Sequence, residues 1–149
     1  MPWTNAVLVK GYIPAIDLIA EPTAFDNSII KAEEDLHARL IAFIGDATVA
    51  AWTLVANTPP LVVSWATEMA AAYYYSTYQG YHLQPEIPDN PAAIIYDRVL
   101  KSIESAKRGG TIIRDIAGAR VSVAGISVST PRWRYIEYLP TSQGGEIDD

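Results

Sequence analysis

Apolar residues recur at spacings of three and four in three segments of the chain, and this period predicts three α-helices. The first helix is expected to start between Thr23 and Asn27 and to end at Gly45. Its apolar residues fall on one face, with charged residues mostly elsewhere. That face consists of Ile29, Ala32, Leu36, Leu40 and Phe43.

The second predicted helix is apolar on nearly every side. Thr58 suits the N-cap and Pro59 the first helical position, where a missing N–H costs nothing. The helix is expected to run to about Gln79, with Gly80 as a left-handed cap. A helix that is apolar all round is central, so neighbouring helices or subunits are expected to surround it.

The third predicted helix begins with Asn90 as N-cap and Pro91 in the first turn, and it ends at Gly109 and Gly110. Cations occupy its last turn, where the helix dipole favours them. The inner stripe is formed by Ile95, Val99, Ile103 and Ala106.

The pattern changes after Gly110, where β-branched residues predict strands or a hairpin at 111–116 and 120–129. The expected fold is mainly α, a small three- to four-helix bundle with a β-hairpin-like C-terminal extension. Residues 1–110 would form the bundle, and its N-terminal segment, 1–22, would hold a short strand and a short helix. Residues 111–140 would form an extended arm, and 141–149 a flexible tail.

Composition excludes several classes of protein. The chain of 149 residues suits one domain, and its lack of cysteine excludes disulfide scaffolds and Cys-ligated metals. Neither a signal peptide nor a membrane span is expected, because the longest apolar stretch, 47–75, is interrupted by polar residues and prolines.

The net charge of −6 hides an asymmetry along the chain. Residues 1–97 carry a charge of −8, residues 98–134 carry +6, and the tail carries −4. This separation indicates two surfaces that bind different partners, or two surfaces that meet each other head to tail in an oligomer. The alternative is a chance grouping of charges on solvated faces.

No residue set predicts catalysis, a cofactor site or a metal site. His37 and His82 have no neighbouring ligand at metal spacing. Glu33, Glu34 and Asp35 are consecutive on a helix and point in different directions, so they cannot converge on one ion. The chain is therefore expected not to be an enzyme.

Five tyrosines lie between Tyr73 and Tyr81. Tyr74, Tyr78 and Tyr81 share one side of the helix and are predicted at a subunit interface, because tyrosine is enriched there. Tyr73 and Tyr75 are expected to close the core. The alternative is a helix end whose tyrosines cover the core with their hydroxyls in water. Nucleic-acid stacking is disfavoured because no basic residue lies between Arg39 and Arg98.

A second candidate interface lies in the predicted arm. In a strand, one face would carry two arginines and the other Trp and Tyr, the residue types that dominate binding hot spots. An edge strand of the chain's own hairpin is the alternative. The residues are Arg132, Trp133, Arg134 and Tyr135.

Three segments together carry a family resemblance. They are DNSIIKAEEDLHARLIAFIG, TPPLVVSWATEMAAAYYYSTY and NPAAIIYDRVLKSIESAKRGG, in that order. This layout resembles the head–tail adaptor, or head-completion, proteins of tailed bacteriophages. The resemblance covers roughly 26–123, and both IESAKRGGTII and IIRDIAGARVSV match its last segment.

The resemblance implies a structural virion protein of the neck, made in the host cytoplasm. About twelve copies would form a ring below the portal, and DNA would pass through its channel without sequence-specific binding. The partners implied are further copies, the portal and the next neck or tail protein, with no membrane. The alternatives are another tail-completion or tail-terminator protein, and a small regulatory or ligand-binding helical protein.

Overall fold

A computed structural model describes residues 2–13, 22–78 and 90–123, with residues 22–25 and Tyr78 described through their backbone alone. The described part is mainly helical, as predicted, and its 2–13 segment holds a helix and no strand. No described helix is both long and apolar enough to cross a membrane. The helices are α1 (Ala6–Tyr12), α2 (Pro22–Ile41), α3 (Asp46–Ala50), a 3₁₀ turn (Val55–Asn57), α4 (Pro60–Tyr78) and α5 (Pro91–Lys107).

The first predicted helix is α2, and it ends four residues before the glycine expected to stop it. The chain turns after Ile41, and the Ile44 N–H still bonds the Leu40 carbonyl at 2.8 Å. Gly45 has φ +110, a conformation that favours glycine, and it serves as N-cap of the short α3. Helix α3 was not predicted, since five residues carry little periodic signal.

The central helix is α4, which contacts α1, α2 and α5. Its start differs from the prediction. The Thr58 hydroxyl donates to the Leu54 carbonyl at 2.7 Å and so belongs to the preceding 3₁₀ turn. The first helical bond runs from the Val63 N–H to the Pro59 carbonyl at 3.0 Å, which moves the helix start to Pro60. The predicted end at Gln79 and Gly80 lies outside the described residues.

Helix α5 confirms its predicted caps. The Asn90 side chain accepts the Ala93 N–H at 3.1 Å, and Pro91 occupies the first turn. At the other end Gly109 has φ +83, and the Gly110 N–H bonds the Ser105 carbonyl at 2.8 Å. The whole predicted inner stripe of this helix is buried.

Residues 111–123 turn back on themselves and form one antiparallel bridge, between Arg114 and Arg120. The Gly118 N–H closes the turn on the Asp115 carbonyl at 2.9 Å, with Gly118 at φ +87. Ile113 and Val121 are buried, so this segment packs against the helical core. The rest of the predicted arm and tail, 124–149, lies outside the described residues.

The N-terminal segment is part of the core. The Trp3 ring is fully buried, and its Nε1 donates to the Trp52 carbonyl at 2.8 Å. Val9 and Ile13 of the same segment join the same apolar cluster. Residues 2–13 therefore close one side of the bundle, and large apolar area is removed from water there.

Candidate functional site

A carboxylate of α2 ties together three helices. Asp35 accepts hydrogen bonds from the Tyr73 hydroxyl of α4 at 2.8 Å and from the Tyr96 hydroxyl of α5 at 2.6 Å. Arg39 Nε, one turn further along α2, donates to the other oxygen at 2.7 Å. The Tyr73 and Tyr96 rings meet edge to face at 6.0 Å. We call these four residues the Asp35 cluster.

The electrostatics of the Asp35 cluster fix its protonation state. Burial opposes the charge of Asp35, but the hydrogen bonds from the two tyrosines and Arg39 outweigh it, so the pKa of Asp35 lies below its ordinary value. Burial and then the Asp35 carboxylate raise the pKa of Tyr73 and that of Tyr96. The carboxylate therefore stays charged, and the phenols stay protonated donors.

A second carboxylate holds the N-terminal segment. Glu33 Oε2 accepts the backbone N–H groups of Trp3 at 2.5 Å and Thr4 at 3.1 Å. The Thr4 hydroxyl lies 2.6 Å from that of Thr67 on α4. Burial raises the pKa of Glu33, and the two N–H groups offset part of that rise. Glu33 is therefore an anchor between 2–4 and the bundle.

A third polar contact joins α1, α4 and α5 at the surface. The Arg98 guanidinium donates to the Tyr12 hydroxyl and lies 3.4 Å from the Glu68 carboxylate. The Arg98 side chain is more than half exposed, so this pair contributes little to stability. Like the contacts of Asp35 and Glu33, this contact joins elements of the chain to one another.

The polar contacts of Asp35, Glu33 and Arg98 join elements of the chain to one another. Both oxygens of Asp35 and the inward oxygen of Glu33 are engaged by donors of the chain itself. Within the described residues no three acidic or histidine side chains come together in a way that could hold a metal ion. The chemistry they support is hydrogen bonding between elements, and the fit of α2 against α4 and α5 depends on it.

The tyrosine interface prediction needs one correction. Tyr74 is only 1% exposed and lies in the core of its own chain. Tyr73 and Tyr75, which were expected to close the core, are half-buried and pack against it. The helical period indicates how the tyrosine side chains are distributed around α4, but it does not indicate which of them face α2 and α5. Tyr78 ends α4 with an undescribed side chain, and Tyr81 lies outside the described residues.

The arm residues proposed as a second interface also lie outside the described residues. They are Arg132, Trp133, Arg134 and Tyr135. Their assignment to an interface stays a prediction. Of the seven residues that the sequence proposed for partner contact, only Tyr74 has a described side chain.

The sequence analysis did not predict the Asp35 cluster, although the spacing of two of its residues is visible in the sequence. Asp35 and Arg39 stand at i and i+4, a spacing that permits a salt bridge. The partners Tyr73 and Tyr96 are 38 and 61 residues away from Asp35, and only the packing of the three helices brings them to it.

In comparisons with known proteins, no family model, curated protein or solved structure matches the chain.

Proposed function

We propose that this chain is a non-enzymatic head–tail adaptor of a tailed bacteriophage, which assembles as a ring below the portal and extends the DNA channel. The observation that supports this most is the central position of α4, contacted by α1, α2 and α5. The family resemblance implies the same order, with the Pro-Pro-started helix in the middle.

The internal polar clusters fit such a role. The Asp35 cluster links α2, α4 and α5, and Glu33 links the N-terminal segment to α2, so the protomer is braced at two places. A subunit that transmits a load between capsid and tail benefits from helices that do not slide. The chain beyond Val123 would continue as a β-hairpin-like arm, directed at the portal or at a neighbouring subunit.

The charge of the chain suits a channel that DNA passes through. The net charge is −6, and the first 97 residues carry most of the acidic excess. Because DNA binding depends on neutralising phosphates with Lys and Arg, an acidic channel wall would let DNA slide without adhering.

The experiment that tests the proposal mixes the purified chain with portal rings of a candidate phage and images the mixture by negative-stain electron microscopy. We expect a ring stacked on the portal, and a closed oligomer in native mass spectrometry at high concentration. Portal rings from an unrelated phage serve as the control. Monomers alone under both conditions would refute the proposal, and rings that bind tail tube instead of portal would identify a tail-terminator protein.

A further inference from the structure

The bridge between Arg114 and Arg120 sets two cations directly opposite each other. The flanking hydrogen bonds run from the Val121 N–H to the Ile113 carbonyl and from the Asp115 N–H to the Ala119 carbonyl, both at 2.8 Å. This pattern makes the arginines a non-hydrogen-bonded pair, the kind whose side chains come closest. Like charges in that position destabilise a hairpin unless an anion joins them.

No anion joins them within the described residues. The Arg114 guanidinium donates to the Gly118 carbonyl at 3.0 Å, and neither arginine forms an ion pair in this part of the chain. The nearby Asp115 carboxylate is occupied by the N–H groups of Ala117 and Ala119, each at 2.9 Å. Both arginine side chains are exposed, so a partner can reach their guanidinium groups.

Apolar side chains flank these cations. Ile112 is 42% exposed and Ile116 is 61% exposed, while their neighbour Ile113 is buried in the core. Exposed isoleucines beside arginines that form no ion pair within the described residues are typical of a protein contact, where apolar area is removed from water as the charges pair. We call Ile112, Arg114, Ile116 and Arg120 the hairpin patch.

A surface of opposite charge lies on α2. Asp26, Ile30 and Glu34 are four residues apart in turn, so they form one row along the helix. Both acids are exposed, Ile30 is 53% exposed, and neither acid forms an ion pair within the described residues. Lys31 lies on the adjacent side of the helix and pairs with neither. We call Asp26, Ile30 and Glu34 the α2 stripe.

We propose that the hairpin patch of one copy binds the α2 stripe of a second copy, head to tail. Each patch offers two charges and exposed isoleucine, and the signs are complementary. Within the part of the chain that the structure describes, no ion pair joins the two patches. A contact between two different patches is heterologous and propagates into a ring or a filament. The proposal rests on the ring of the proposed function and specifies its subunit contact.

A protein surface fits the hairpin patch better than DNA does. Two arginines neutralise few phosphates, and the two exposed isoleucines have no partner on a sugar–phosphate backbone. The acidic net charge further disfavours a polyanion. Duplex DNA is therefore the competing occupant of the hairpin patch.

Cysteine cross-linking tests the geometry directly, because the natural chain has no cysteine. Ile30→Cys and Ile116→Cys are purified separately, and each is treated with a short bismaleimide alone and in an equimolar mixture. We expect cross-linked dimers mainly in the mixture, since the contact joins unlike patches. Equal cross-linking of each variant with itself, or none in the mixture at any protein concentration, would overturn the proposal.

Charge reversal tests the energetics. We expect Arg114→Glu with Arg120→Glu, and separately Asp26→Lys with Glu34→Lys, to weaken self-association by about tenfold or more in sedimentation velocity. Mixing the two double variants restores assembly, because each then finds the opposite sign on its partner. Lys107→Glu with Arg108→Glu is the control, with the same charge change at cations already paired to Glu104; it should leave association unchanged.

The results of these experiments distinguish a failure of the proposed subunit contact from a failure of the proposed adaptor function. If rings bind the portal but the charge reversals leave assembly intact, the proposed contact is wrong and the adaptor role stands. If the Ile30–Ile116 cross-link forms but no ring ever binds a portal, the contact stands and the adaptor role fails. Loss of duplex DNA binding by the Arg114 and Arg120 reversals, measured by fluorescence anisotropy with self-association unchanged, would also overturn it.

Discussion

At the scale of single residues, Asp35 contributes most clearly to holding the helices together. It is the common acceptor for donors on α2, α4 and α5, and its pKa is lowered by them. Asparagine at position 35 would keep the shape of the side chain but lose its charge. Its NH₂ group would also face phenol or guanidinium donors, from which it cannot accept a hydrogen bond. The side chain therefore contributes through its charge as well as through its volume.

We expect Asp35→Asn to lower the free energy of unfolding by about 2 kcal/mol, since it leaves donors without a charged acceptor. Urea denaturation at pH 7 followed by circular dichroism measures the change. The control is Asp97→Asn, which removes a carboxylate from an i,i+4 pair with Lys101 and should change stability by less than about 0.5 kcal/mol. Equal losses in the two variants would show that the cluster contributes no more than a surface pair.

The charge of Asp35 also makes the free energy of unfolding depend on pH. Because the pKa of Asp35 is lower in the folded chain than its unfolded value of about 3.9, its contribution is complete above that value. It is lost as the pH falls through the folded pKa. The difference in unfolding free energy between the natural chain and Asp35→Asn should thus shrink as the pH falls below about 4. A difference that stays constant down to the acid limit would contradict the assignment.

At the scale of elements, the sequence predicted α2, α4 and α5 because their long apolar periods and caps are local signals. The Asn90 cap, Pro91 and Gly109 lie where the pattern placed them. The conformation of residues 42–59 was predicted poorly, because it depends on contacts with residues far away in the sequence. Trp52, for example, offers its carbonyl to the indole of Trp3, 49 residues away.

The N-terminal segment is expected to be essential to the bundle. Trp3→Ala should lower the free energy of unfolding by about 3–5 kcal/mol, since it empties a fully buried site and removes a hydrogen bond to Trp52. Thermal and urea unfolding check this value. Val7→Ala on α1, where the side chain is 77% exposed, is the matched control and should be near neutral. A near-neutral Trp3→Ala would mean that residues 2–13 are not docked in solution.

At the scale of the whole molecule, the sequence revealed charge segregation but not which side chains are exposed. The basic segment after residue 97 contains cations already paired, such as Lys101 with Asp97, as well as Arg114 and Arg120, which form no ion pair within the described residues. The interface prediction for Tyr74 was wrong for a related reason. Exposure depends on how helices face each other, and a single helix's period leaves the rotation of the bundle undetermined.

The predicted arm continues beyond the described residues. If residues 124–139 reach a partner rather than complete the core, Trp133→Ala with Tyr135→Ala should leave the far-ultraviolet circular dichroism and the melting temperature unchanged. The same variant should lose portal binding in co-sedimentation, because the aromatic side chains would supply the anchoring contacts. Trp133→Phe with Tyr135→Phe keeps aromatic area and should retain part of the binding. A double alanine variant that melts well below the natural chain would instead make these residues part of the core, and the arm would then be an edge of the fold and not a partner-binding extension.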